Sequence, residues 1–518
     1  MNLRHELHFG ERMVRCFAER WPHLPAMLAD AARSREVEAL VDGERRWSWG
    51  RLHEDSGRIA AGLAKLGLRP GDRVVLLAPN RAEFVLAAFG ILRLGAVVVP
   101  VSMREAGPGI AYIVNQCAAS LVIADPAVAG LVPEGVRRVL LPGGAPRDGW
   151  LPFEDLLEGP ADWIDAAPGE EEPAALLYTS GTTGAPKGAV LTHFNLVHSV
   201  LHYKHMLGLH AGDRGLLAVP ASHVTGLVAL ILAMAGCGGA LVLLAEFKAA
   251  ASLALLARER VTCTLMVPAM YALWLREPSL ADTDLSSLRV AGFGGAPMAP
   301  ATIEGLQRSC PGLRLFNAYG ATETSSPATM TPRDGTRLDA VGKPLPCADI
   351  RVMDDEGREV PRGTAGEVWI AGPMVVPRYW DNPQATAAGF MAGYWKSGDI
   401  GTMDADGYLR VHDRKKDMIN RGGYKVFSVE VENCLLAHPA VAEAATVGVP
   451  CPVLGERIHA FIYAPDAGDR EALRRELAAR CKDELADYKT PDFWTWLTEP
   501  LPRNANGKVM KRTLRERT

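Results

Sequence analysis

The run Leu176-Leu-Tyr-Thr-Ser-Gly-Thr-Thr-Gly-Ala-Pro-Lys-Gly188 carries the densest chemistry in the sequence. An apolar stretch passes directly into glycines, hydroxyl side chains and one lysine. Glycines let backbone N–H groups approach an anion closely, hydroxyls add donors, and a lysine adds charge. Those are the parts that hold a polyphosphate. The pattern GxxxxGK[ST] is not matched, because Lys187 follows Pro186 and precedes Gly188. A plain polar turn between strand and helix is the alternative. The five hydroxyls from Tyr178 to Thr183, joined to Pro-Lys-Gly, argue against it. Thr179, Ser180, Gly181, Thr182, Thr183, Gly184 and Lys187 are therefore candidate phosphate-binding residues.

Further polar runs are spaced along the chain. They are Phe316-Asn-Ala-Tyr-Gly-Ala-Thr-Glu-Thr324, Tyr394-Trp-Lys-Ser-Gly-Asp399, Asp413-Arg-Lys-Lys-Asp-Met-Ile-Asn-Arg-Gly-Gly-Tyr-Lys425 and Pro502-Arg-Asn-Ala-Asn-Gly-Lys508. Together with the glycine-rich run they resemble, in order, the motifs of the adenylate-forming superfamily. That superfamily includes acyl-CoA synthetases, firefly luciferase and peptide-synthetase adenylation domains. The resemblance covers nearly the whole chain. It implies two half-reactions: a carboxylate attacks the α-phosphate of MgATP to give acyl-AMP, and a thiol then displaces AMP.

The resemblance distributes roles over these residues, and the chemistry of each side chain suits its role. Tyr319 offers a flat ring for adenine, Asn317 is placed near the adenine edge, and Ala318, Gly320 and Thr322 share the same nucleotide motif. Glu323 is a hard oxygen ligand suited to magnesium shared with ATP phosphates. Asp399 can accept bonds from both ribose hydroxyls, with Arg414 beside it. Gly295, Ala296 and Pro297, in the run Gly294-Gly-Ala-Pro297, suit a close backbone wall against the nucleotide. Lys508 would stabilise the charge that gathers at the α-phosphate, so that Lys508, Glu323, His223 and Thr179 form the catalytic set. His223, in Val219-Pro-Ala-Ser-His-Val-Thr-Gly-Leu227, falls by resemblance where an acyl pocket meets a thiol tunnel. Gly294, Gly320, Thr225, Gly226 and Ala229 join it as pocket candidates. Here the sequence departs from the pattern: Ser222 stands where a bulky aromatic often precedes the histidine, and Thr225 where some aryl-selective relatives carry an aromatic. Lys416 is implied as the hinge of a C-terminal domain that rotates between half-reactions. Gly422, Gly423 and Lys425 are implied at the thiol tunnel, on the argument that a turn alone usually needs one glycine.

These residues need elements to hold them. Trp49–Leu66 has helical spacing and a stop at Gly67, Arg73–Leu77 reads as a buried strand, Ala82–Leu94 as a helix and Ala96–Val101 as a strand. Such alternation predicts parallel sheets covered by helices. The uncharged run Val224–Ala245 could span a bilayer by length. Gly226, Gly236, Gly238 and Gly239 interrupt it, so it is expected to be a buried helix, a turn and a buried strand. From about residue 350 short strands alternate with turns, and a helix is expected to begin near Ser428. The fold class expected is α/β: a large N-terminal domain of parallel-sheet αβα subdomains with a β-rich subdomain, and a small mobile α+β C-terminal domain. Its boundaries are placed at 1–412, a hinge at 413–417, and 418–518.

Composition bounds the function. The 518 residues are 48% apolar and 22% charged, which fits a globular enzyme of several domains. A net charge of −4 gives no basic footprint for nucleic acid. Nine scattered cysteines without a CxxC pair suggest a reducing, cytoplasmic setting and no zinc site. The opening MNLRHELHFGERMV lacks the apolar core of a secretory signal. The reading is an AMP-forming acyl-CoA synthetase using ATP, Mg2+ and coenzyme A, with a small carboxylic acid as partner and with a homodimer allowed. No arginine or lysine lies in PASHVTGL or GFGGAPM to pair a second carboxylate. An aryl or medium-to-long acyl acid is therefore expected over a dicarboxylate. The alternatives are transfer to a carrier-protein phosphopantetheine, an oxidative luciferase-like use of the adenylate, and a catalytically dead nucleotide-binding protein.

Overall fold

The computed structural model describes residues 1–179, 185–335, 337–503 and 509–518. The chain divides into two compact units. The first comprises Met1–Ile350, Ile370–Lys396 and Gly407–Leu409; the second comprises Arg351–Trp369, Ser397–Asp406 and Arg410–Thr518. The strands Asp349–Met353, Gly366–Ala371, Tyr394–Met403 and Leu409–Arg414 each give residues to both. Residues 413–417, expected as a joint, lie within the second unit.

The first unit shows the expected alternation of helices and strands. Helix α1 (Trp49–Lys65) starts where the Ser48 hydroxyl accepts from the Arg51 amide, 3.3 Å away. It feeds strand β1 (Arg73–Leu77), helix α2 (Ala82–Leu94) and strand β2 (Val97–Pro100). All of α2 is buried, Glu83 and Arg93 included. Such a helix belongs to a core, and its charges are matched: Arg81 and Arg45 pair with Glu83, and Arg93 with Asp165 at 2.6 Å. Strand β3 (Pro173–Thr179) lies parallel to β2 and antiparallel to β4 (Lys187–Thr192). Among the described residues this sheet has seven strands, parallel except for the β4 edge. Thr192 ends β4 and also caps helix α3 (His193–Leu207), in a box closed by Asn195.

A second sheet, nine-stranded among the described residues, has parallel strands at its centre. Its members include β5 (Arg214–Leu217), β6 (Ala240–Leu243), β7 (Cys263–Met266), β8 (Val290–Phe293) and β9 (Arg314–Tyr319). Two parallel sheets flanked by helices make the expected αβα architecture.

The run Val224–Ala245 folds as a buried helix, a turn at Gly238 and the strand β6. One feature differs from expectation: Thr225–Leu232 is a π-helix, passing into α-helix at Ala233–Cys237. The wider turn accompanies a close approach in which the Pro220 carbonyl oxygen lies 2.2 Å from where a Cβ on Gly226 would stand. No helix among the described residues is long and apolar enough to cross a membrane.

The second unit contains the strands β10 (Ile419–Arg421), β11 (Tyr424–Val426), β12 (Glu443–Cys451), β13 (Gly455–Tyr463) and β14 (Phe493–Leu497). Helices α4 (Ser428–Leu436) and α5 (Arg470–Glu484) bury Val431, Leu435, Leu473 and Leu477 against Ile458 and Ile462 of this sheet. A short helix α6 (Lys511–Arg515) follows, with Leu514 in a second cluster beside Val447 and Phe461.

Candidate active site

The glycine-rich run starts in β3 and ends in β4. Thr179 pairs with Lys187 across it, and the Thr179 hydroxyl lies 3.4 Å from the Lys187 carbonyl. Ser180, Gly181, Thr182, Thr183 and Gly184 lie outside the described residues. Lys187 opens the strand β4, so the chain after the run continues as strand and not as helix. The Lys187 ammonium sits 5.4 Å above the ring of Tyr379.

The second candidate group follows β9. Asn317 is buried in that strand, where its amide donates to the Ala340 carbonyl at 3.3 Å and its backbone N–H to the Thr331 hydroxyl at 2.9 Å. The side-chain donor expected at an adenine edge is thus shared with the backbone. Ala318, Tyr319 and Thr322 are half-buried. The chain then turns sharply. The Ala321 amide donates to the Thr324 hydroxyl at 2.8 Å, and a 3-10 turn covers Thr322–Thr324. At Gly320 a Cβ would stand 1.6 Å from the Ser326 carbonyl oxygen, so no other residue fits. Ser325 and Ser326 both have positive φ, 48° and 98°. Such strain costs on the order of 1–3 kcal/mol per residue and persists only where the surroundings enforce it. Here the buried Tyr203 hydroxyl holds the Ser326 side chain at 2.8 Å.

This turn buries Glu323, which is 8% exposed. Its Oε1 accepts from the Tyr379 hydroxyl at 2.9 Å, and its carbonyl accepts from the Val376 amide at 2.9 Å. No cation among the described residues lies within ion-pair distance of it. A buried carboxylate in that condition is expensive unless a positive partner arrives. Burial first, and the adjacent carboxylate second, push the Tyr379 phenol well above its ordinary range, so it stays protonated and donates.

His223 lies on the loop between β5 and the π-helix. Its Nδ1 is 3.3 Å from the Thr225 amide and 3.2 Å from the Thr225 hydroxyl. An accepting Nδ1 puts the imidazole proton on Nε2. The loop is fixed from beneath by Asn80, which donates to the carbonyls of Leu217, Val219 and Leu244 and accepts from the Ala221 amide at 2.8 Å. Gly226 and Ala229 are buried in the π-helix, and Gly294 is buried just after β8, whereas Gly295, Ala296 and Pro297 are exposed.

In the second unit Arg414 Nε and Asp399 are paired at 2.9 Å, with Asp399 nearly buried and Arg414 exposed. The Asp399 amide donates to the Ser397 hydroxyl at 3.0 Å, and that hydroxyl donates to the Val368 carbonyl at 2.6 Å. Beyond it, Asp413 accepts from the amides of Arg414 and Ser428 and so anchors the start of α4. Lys416 is exposed, and Arg515 of α6 donates to its carbonyl at 3.0 Å and to the Asp417 carboxylate at 2.9 Å.

Gly422 and Gly423 form the two-residue turn of the β10–β11 hairpin, with φ of +61° and +88°. This corrects the premise that one glycine would serve the turn. A tight hairpin of this kind needs positive φ at both central residues, so the pair is accounted for without a tunnel. A Cβ on Gly423 would meet nothing within 4 Å. Lys425 is exposed on β11.

Lys508 and residues 504–507 lie outside the described residues. Their flanks are held: Arg503 bridges to Val509, Arg503 pairs with Glu443 at 3.1 Å, and the Leu501 amide donates to Glu443 at 2.8 Å.

Three residues with clear positions here escaped sequence reasoning: Tyr379, Asn80 and Glu443. Each sits outside a polar motif. Tyr379, in Pro377-Arg-Tyr-Trp380, is one of two adjacent aromatics, and only its packing shows its partner.

Comparison with known proteins shows the family. The model of the AMP-binding enzyme family matches residues 28–380, and that of the AMP-binding enzyme C-terminal domain matches residues 430–508. A feruloyl-CoA synthase of an Amycolatopsis species is 34% identical over 499 residues, spanning 94% of this chain and 97% of that relative. The fatty acid–[acyl-carrier-protein] ligase ScoC of Streptomyces coeruleorubidus is 33% identical, spanning 92% of each chain. Among solved structures, the anthranilate CoA ligase AuaEII in complex with anthranoyl-AMP superposes with a TM-score of 0.88 at 29% identity, covering 97% of this chain and 98% of that one.

Proposed function

The chain belongs to the AMP-binding enzyme family, and from that premise we propose that it is an AMP-forming carboxylate–CoA ligase. It takes an acid, ATP and coenzyme A to an acyl-CoA, AMP and diphosphate. The observation that carries the reading is Glu323: a buried carboxylate, fixed by Tyr379, with no described cation beside it. Its oxygens suit Mg2+. Magnesium held there would neutralise charge on the leaving diphosphate.

The chain's own residues do the rest. Thr179, residues 180–184 and Lys187 bind the phosphates. Tyr319 and Asn317, with Gly295, Ala296 and Pro297 as a backbone wall, receive the adenine. Asp399, oriented by Arg414 and Ser397, accepts the ribose hydroxyls. Lys508 meets the α-phosphate as it becomes pentavalent, where a positioned charge lowers the barrier. The acid's carboxylate attacks that phosphorus, diphosphate leaves, and acyl-AMP is formed. The thiol then attacks the acyl carbon and AMP leaves. His223 closes the acyl pocket, with Thr225, Gly226, Ala229, Gly294 and Gly320 as small lining residues. Lys416 is proposed as the hinge, and Gly422, Gly423 and Lys425 as the thiol side.

The acid is proposed to be aryl or medium-to-long aliphatic. Small residues at 225, 226 and 229 support this, as do relatives named for ferulate, anthranilate and fatty acids. A carrier-protein thiol is the second reading, favoured by the likeness to the carrier-protein ligase. Acid-dependent diphosphate release across a panel of aryl and fatty acids tests the first half. Acyl transfer to coenzyme A against a purified phosphopantetheinylated carrier decides the second. No diphosphate release with any acid would sink the enzyme reading.

A further inference from the structure

The segment 376–380 links the two motifs that carry phosphate and metal chemistry. On one side the Val376 amide binds the Glu323 carbonyl. On the other, the Val190 amide donates to the Arg378 carbonyl at 3.1 Å and the Trp380 amide to the Gly188 carbonyl at 2.7 Å. These bonds lay the segment along β4 and set the Tyr379 ring under the Lys187 ammonium. The ring is further held against Phe390, with centroids 5.6 Å apart, and the Tyr379 amide donates to the Thr386 hydroxyl at 3.0 Å.

We infer that Tyr379 is a positioning residue that aims Glu323 at the metal through its hydroxyl and aims Lys187 at the phosphates through its ring. The inference rests on the reading of Glu323 as the metal-binding carboxylate. The geometry separates the two jobs. The hydroxyl takes Oε1 of Glu323 at 2.9 Å, and Oε2 has no hydrogen-bond partner among the described residues. A carboxylate with one oxygen tied to an outer partner presents the other as a single, oriented ligand. The ring face attracts an ammonium through its quadrupole, which limits where a flexible lysine points.

Two variants take the jobs apart. Tyr379→Phe removes the hydroxyl and keeps the ring under Lys187. Tyr379→Leu removes both. Loss of an outer-shell partner costs ~10–100-fold in metal affinity. Tyr379→Phe is therefore expected to raise the Mg2+ concentration for half-maximal diphosphate release by about that factor. Its ATP requirement at saturating Mg2+ should stay near wild type. Tyr379→Leu should show the same metal defect and also a raised KM for ATP. A reading without turnover is Mn2+ binding in the presence of a non-hydrolysable ATP analogue, followed by electron paramagnetic resonance, and it should weaken by the same factor in Tyr379→Phe. Urea midpoints report folding, and if Tyr379→Leu does not fold, Tyr379→Phe alone carries the test. Wild-type metal dependence and Mn2+ binding in Tyr379→Phe would overturn the inference. Glu323→Gln is the separate arm: if its metal dependence is wild type, the reading of Glu323 itself fails, whatever Tyr379→Phe does.

Discussion

Gly423→Leu is expected to block thioester formation while acyl-AMP still forms, and the hairpin geometry now sets the scale of every competing effect. At φ +88° an L side chain is strained, at a cost of about 1–2 kcal/mol. The Cβ itself meets nothing within 4 Å, so no clash adds to that figure. Against a typical stability of ~5–15 kcal/mol the variant stays folded. Loss of folded protein therefore cannot account for a large rate defect. Asn separates the remaining explanations, because it tolerates positive φ while still carrying a side chain. Stability should fall by ~1–2 kcal/mol in Gly423→Leu and recover in Gly423→Asn, read from urea midpoints. Single-turnover assays should find bound acyl-AMP, released diphosphate and almost no acyl-CoA in Gly423→Leu, with a lesser defect in the same direction in Gly423→Asn. If acyl-CoA forms at wild-type rate in Gly423→Leu, the glycines serve the hairpin alone and the thiol passes elsewhere.

Lys508→Ala should lower adenylation by ~10²–10³, while thioester formation from supplied acyl-AMP continues; an equal loss in both halves would show that Lys508 is not specific to adenylation. Asp399→Ala removes a charged acceptor worth about 1.5–3 kcal/mol, and should raise the ATP requirement ~10–100-fold, with an unchanged requirement counting against the ribose assignment. Stability should also fall in mild acid. His193 and His198 are held down to about 3 by burial, and fully enclosed His202 is pushed well below its ordinary value for the same reason. Their folded pKa values lie below the unfolded value near 6.5, so the unfolded chain binds more protons as pH falls. Three such groups give a slope of up to ~4 kcal/mol per pH unit below pH 6. Urea midpoints from pH 7.5 to 5 should drop accordingly, and a flat profile would mean that the imidazoles protonate in place.

The elements read most directly from sequence are those whose local pattern and burial agree. Helix α1 keeps an apolar face and a hydroxyl cap, and α2 is apolar apart from Glu83 and Arg93 because it is enclosed. Both start and stop within a residue of the boundaries expected from spacing and glycine stops. The misreadings have physical causes. β4 was hidden because Pro186 and Gly188 beside Lys187 look like loop, while the strand is imposed by pairing with β3. The π-helix cannot be seen in an unbroken apolar run, since every helical period suits it; the contact of Gly226 with the Pro220 carbonyl accompanies it. That the β10–β11 turn takes both glycines is not legible in sequence, because turn type depends on the strands it joins. At the candidate site, motif residues were legible by type and order, whereas their partners were not.

That asymmetry has a reason. A reacting group must be polar, and polar groups near glycines stand out against a sequence that is 48% apolar. The group that orients it need only be near in space. Glu323 is oriented by a tyrosine 56 positions away, and the His223 loop by an asparagine 141 positions from Ala221. Glu443 holds Leu501, ahead of residues 504–508, from 58 positions earlier in the chain. Asp399 is the exception, since Ser397 and Arg414 both fall within or beside motifs. Each distant partner acts through hydrogen bonds to defined atoms, so geometry is the shared contribution, with charge added where Glu443 pairs with Arg503. Substituting such a partner should therefore shift metal, nucleotide or acid requirements while the motif residues remain present. A motif can thus be complete in sequence and still work poorly, if the tyrosine, asparagine or glutamate behind it is lost.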